Sequence, residues 1–134
     1  MDTNPPLRIT DEAEACAAVL TACLRSNEIY GMIENVLFPH ILRSRNMFRG
    51  RDVETLIATT ERYFEQAGGP EALIDAAIGA VREQTRLPLF YQCLDLMLSD
   101  GVVTPQEHKM FLYLKKKFKV AEDTAWKAMD VLLA

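Results

Sequence analysis

The chain has 134 residues, 49% of them apolar, and a formal net charge of −4. That length suits one domain with a single core and needs no disulfide or metal staple, while the acidic balance gives no long-range attraction to phosphate backbones and argues against nucleic acid as partner. The opening MDTNPPLRIT has no basic stretch before an apolar one, and the longest apolar window, Leu87 to Leu98, is broken by Gln92 and Asp95, so the sequence predicts a cytoplasmic protein with neither signal peptide nor membrane span.

Residues 1–9 read as an N-terminal arm. Asp11 and Glu14 then give a D-x-x-E start signal for a helix over about 11–25, with Cys16, Val19, Leu20, Cys23 and Leu24 on one face. A second helix should begin near Gly31 or Met32, and Pro39 should kink or break it near Phe38, because the ring removes a donor and crowds the preceding turn. Asp52 caps a third helix, 53–67, carried by Val53, Leu56, Ile57, Thr60 and Phe64 and stopped by Gly68-Gly69. Pro70 opens a fourth helix running to about Arg82, with Leu73, Ile74, Ala77, Ile78 and Val81 as its stripe. Pro88 in the same way opens a fifth, 88–99, which is apolar over most of its circumference and is therefore expected at the centre.

The sixth helix, 105–118, sets Met110, Phe111, Leu114 and Phe118 inward. It leaves Lys115, Lys116, Lys117 and Lys119 mostly outside, as a solvated face and a partner for the helix dipole. A seventh helix uses Trp126, Met129 and Leu133. No stretch alternates as a strand does, so the chain reads as all-α: a single-domain bundle of about seven helices spanning 1–134.

Chemistry-bearing residues are few. Cys16, Cys23 and Cys93 form no CxxC pair and read as reduced core thiols. His40 and His108 have no HExxH or zinc-finger context, with His108 read as a surface residue, and no G-x-S-x-G elbow marks a nucleophile, so the reading is non-enzymatic. The basic stretch HILRSRNMFRGRD carries Arg43, Arg45, Arg49 and Arg51. It reads as an exposed linker with Phe48 tucked into the core, the alternative being a site for a phosphate or an acidic partner. Asp95 shares a stripe with Gln92 and Ser99 and reads as the polar edge of its helix, or else as a carboxylate facing an acidic cluster.

That cluster comes from the stretch LMLSDGVVTPQEHKMF. Gly101 is a helix stop, and Thr104-Pro105-Gln106-Glu107 is a capping box with proline at the first helical position, which leaves Asp100 without a structural duty. A shift of 73 positions lays Asn27 on Asp100, Gly31 on Thr104, Glu34 on Glu107 and Phe38 on Phe111, suggesting two pseudo-repeated helix-elbow-helix halves. If the two elbows met, Asn27, Glu28, Glu34, Asp100 and Glu107 would offer oxygens to a hard divalent cation such as calcium. An EF-hand loop from Asp100 is excluded, since it lacks the acidic residues, the central glycine and the terminal glutamate.

The run LPLFYQCLDLMLSDGVVTPQEHKMFLYLKKKFKVAED resembles the C-terminal half of the TerB-like tellurite-resistance family, in its apolar helix, Asp-Gly elbow, glutamate seven on from the Asp, and following apolar helix. The first half fits more loosely, through the second elbow and MFRGRDVETL. The resemblance implies a helical bundle without demonstrated catalysis, a role in bacterial stress or tellurite resistance, and a divalent-cation site at the acidic elbows, onto which Asp100 and Glu107 map. Asn27-Glu28 departs from the family's Asp-Gly and weakens the first elbow as a ligand source. The alternative is a helical adaptor that docks a protein partner and uses the elbows only as caps; the oligomeric state is left open.

Overall fold

The computed structural model describes residues 7–26, 36–98 and 103–133. Among them lie seven α-helices and no strand: α1 Glu12–Ser26, α2 Phe38–Ser44, α3 Val53–Ala67, α4 Pro70–Ile78, α5 Glu83–Met97, α6 Pro105–Phe118 and α7 Glu122–Leu133. Their buried side chains form one continuous core, and no described helix is long and apolar enough to cross a membrane.

Local signals set the ends of α3 and α6. The Asp52 carboxylate accepts the Thr55 amide at 2.9 Å to start α3, and Gly68 ends it at φ 86°, a left-handed turn that a side chain would strain. Pro70 is then the first residue of α4, its missing N–H being one that no helical carbonyl would have used. At α6 the Thr104 hydroxyl accepts the Glu107 amide at 3.1 Å while Glu107 accepts the Thr104 amide at 2.9 Å, the full reciprocal box. Asp11 starts α1 by accepting the Glu14 amide at 2.9 Å.

Several features depart from the sequence reading. The central helix is α1, not α5: Ala15 through Leu24 are all buried, and α1 packs on α3, α4, α5 and α6. Its alanines and cysteines are small enough to let neighbours approach on every side, whereas α5 keeps Leu87, Pro88 and Tyr91 in solvent. Helix α4 stops at Ile78 with Gly79 as its cap, and the chain turns through Ala80 and Val81, since glycine costs about 1 kcal/mol in a helix interior. Helix α5 starts at Glu83, not Pro88. The Arg82 amide donates at 2.8 Å to Glu12, so a carboxylate from α1 caps the helix and Pro88 falls inside its second turn. Finally, α7 buries Ala125, Ala128 and Met129, leaving Trp126 and Leu133 partly exposed at its edges.

Pro39 lies in the first turn of α2, but no break is seen at Phe38: Val36 and Leu37 before it are already helical, Leu37 at φ −68° and ψ −46°, and the expected start near Gly31 or Met32 falls outside the described residues. Phe48 is buried at the end of a single 3-10 turn, Asn46–Phe48. Of the N-terminal arm, residues 1–6 fall outside the described set, while Leu7 packs against the core and Ile9 is buried, its amide 3.4 Å from the Ala76 carbonyl of α4. The overlay of two elbows rests on 27–35 and 99–102, also outside that set. Its landmarks Phe38 and Phe111 are both core residues.

Candidate functional site

Of the five oxygen-bearing elbow residues, the described part of the chain holds only Glu107; Asn27, Glu28, Glu34 and Asp100 lie outside it. Glu107 is 3% exposed, the only buried acidic residue among those described. One carboxylate oxygen takes the Thr104 amide, and no described basic side chain forms an ion pair with it. Burying a carboxylate is costly unless its charge is compensated, and here one amide and the positive N-terminal end of α6 supply part of that compensation. Among the described residues no group of three or more His, Cys, Asp or Glu side chains is placed to hold a metal ion.

The other singled-out residues are accounted for by packing and pairing. All three cysteines are fully buried, and burial pushes the Cys16 thiol up to about 12, helped by the nearby Glu12 and Asp11 carboxylates. The Cys93 thiol is raised as well, by burial and by the neighbouring Cys23. Neither is primed as a nucleophile, because the reactive form is the thiolate. His108 is exposed, its ring 6.2 Å from that of Trp126, which itself lies 4.9 Å from Phe111. The lysine run is partly spent: Lys115 pairs with Glu122 at 2.6 Å, Lys117 with Asp75 at 3.2 Å, and Lys119 ends α6 in a left-handed conformation at φ 56°.

The basic stretch divides too. Arg51 pairs with Asp11 and so ties the start of α3 to the start of α1. Arg45 instead lines a cleft of about 550 Å³ between the 3-10 turn and α5, with Met47, Pro88, Tyr91 and Gln92 among its walls. Gln92 Oε1 is buried with no hydrogen-bond partner among the described residues, a polar atom for which the packing offers no compensation. Asp95 is half-buried, like Gln92 on the same stripe, while Ser99 and the elbow that its alternative reading would face lie outside the described residues.

Sequence reasoning missed the acidic start of α1 as a hub. Glu12 accepts from the Arg82 amide and from its Nε at 3.0 Å, Glu14 accepts from the Tyr63 hydroxyl at 2.6 Å, and Asp11 holds both the Glu14 amide and Arg51. A core hydrogen bond between Thr21 and Thr60, 3.0 Å long, joins α1 to α3. Apart from the Asp11–Glu14 amide bond, which the D-x-x-E signal announces, no local signal marks these contacts, whose partners are 39 to 70 residues apart. Comparison with protein-family models, with curated proteins and with solved structures returns no match.

Proposed function

We propose that the chain is a non-enzymatic, TerB-like helical binding module of the bacterial cytoplasm, associated with stress or tellurite resistance, that holds a divalent cation weakly at its acidic elbow. The observation that carries this reading is Glu107, a carboxylate buried at the head of α6 without a cationic partner among the described residues. A hard cation there would offset a charge that one amide and a helix dipole compensate only in part, and Asp100, seven residues before it, completes the Asp-Gly…Glu pattern on which the family resemblance rests. Asn27, Glu28 and Glu34 are the further oxygens this proposal enlists. The test is a calcium or magnesium titration followed by amide NMR. The amides of Thr104, Glu107 and Asp100 should shift together and saturate at millimolar cation, and spectra that do not change would remove the cation from the account.

A second reading, a helical adaptor that docks a protein partner, is favoured by a different observation. Leu87, Tyr91 and Val131 stand exposed on α5 and α7, Val131 by 73% of its surface, in a chain whose core is otherwise well filled. In this reading the elbows serve only as caps, and the cation titration separates the two: spectra unchanged at millimolar cation leave only the adaptor.

A further inference from the structure

Helices α5 and α7 run side by side in the same sense, and two clefts lie in series along their seam. The first, about 530 Å³, is walled by Glu83, Arg86 and Leu87 of α5, by Thr124 of α7 and by the connection Lys119–Ala121. The second, about 280 Å³, follows one turn later between Tyr91 and the α7 residues Lys127, Ala128, Val131 and Leu132. Apolar side chains line both, and Leu87, Tyr91 and Val131 are exposed over more than a third of their surface. From Ala121 to Leu132 the seam extends roughly 17 Å at the helical rise, about three turns.

Its charge is opposite to that of the molecule. The lining holds Arg86, Lys119 and Lys127 against the single carboxylate of Glu83, in a chain of net charge −4. Lys119 and Lys127 have no ion-pair partner among the described residues, and Arg86 gives its guanidinium only to the Val81 and Ile78 carbonyls. Asp123 and Asp130 stand one turn before and one turn after Lys127 on α7, outside the lining, and Asp95 lies a turn beyond Tyr91, so carboxylates border the cations of the seam.

We propose that the α5–α7 seam is the docking groove for an acidic amphipathic helix of a protein partner. An apolar trough between two helices receives a third through anchors at i, i+3, i+4 and i+7, and the cations on its rim favour carboxylates on the flanks of the incoming helix. A second copy of the chain offering the same surface would set the basic strips against each other, so the groove is not a self-complementary interface. This rests on the docking reading above and not on the cation site.

The test uses a displayed library of 16-residue random peptides, selected on the full chain and counter-selected on the Val131→Asp variant. Val131 is exposed, so that substitution leaves the core alone; matching melting temperatures would verify it. The inference predicts enriched peptides with apolar residues at helical spacing and glutamate or aspartate between them. Their affinity should fall about tenfold or more for Tyr91→Ala and Lys127→Glu, and should weaken with added salt. Enriched peptides that are neutral or basic, or that bind Val131→Asp and Lys127→Glu as well as the parent, would overturn the seam while leaving docking elsewhere on the chain intact. No enrichment at all would overturn both. A dimer of the parent that Val131→Asp dissolves would make the occupant a second copy and overturn the acidic partner.

Discussion

Three neighbouring carboxylates at the start of α1 are divided among three tasks. The Glu14 amide, followed by the Arg51 guanidinium, holds the Asp11 carboxyl below its usual range, and the Arg82 side chain does the same for Glu12. A carboxylate held low contributes stability above its unfolded pKa and loses that contribution as pH falls through the folded value, so these pairs make the head of α1 labile in acid, below about pH 4. Tyr63 shows the opposite sign. Its hydroxyl donates to Glu14 at 2.6 Å, which, with partial burial, pushes the phenol up to about 12. That contribution is complete below the ordinary phenol value near 10 and is lost as pH rises through about 12. Ultraviolet titration should therefore resolve a tyrosine ionising about 2 units late, and Glu14→Gln should return it toward the ordinary range. An unchanged curve would mean that the Glu14 contact is not the cause.

Helix ends tell which boundaries a sequence can disclose. The spans of α3 and α6 are those the sequence predicts, because Asp52, Gly68, Thr104 and Glu107 each act on a partner within four residues in the chain. The start of α5 is hidden from such reasoning, since its cap is Glu12, some 70 residues away, and Pro88 mimics a helix start while occupying the interior. The central place of α1 was equally hidden. Small side chains signal little hydrophobicity, yet they let four helices pack around one. For α6 the box supplies a direct test: Thr104→Ala should lower stability by about 0.5–2 kcal/mol in urea unfolding, through loss of the acceptor for the Glu107 amide. Superimposable curves for mutant and parent would contradict that contribution.

At the scale of the whole molecule, the elbow and the seam differ in how far the sequence reveals them. Glu107 announces itself through a seven-residue step from Asp100 and a capping box, so its place at the head of α6 was legible. Its burial was not, because that depends on neighbours brought in by the fold. The seam has no linear signature, being made where Leu87 and Tyr91 of one helix meet Val131 and Leu132 of another some 40 residues on. The central functional claim is that Glu107 helps to hold a divalent cation, and Glu107→Gln isolates it, since glutamine can still accept the Thr104 amide while carrying no charge. The decisive measurement is the melting temperature of parent and Glu107→Gln with and without millimolar calcium. The account predicts that calcium raises the parent's melting temperature, that the variant without calcium melts at the same or a higher temperature, and that its calcium-induced rise shrinks or disappears. A parent whose melting temperature ignores calcium, or a variant stabilised by it as strongly as the parent, would contradict the claim.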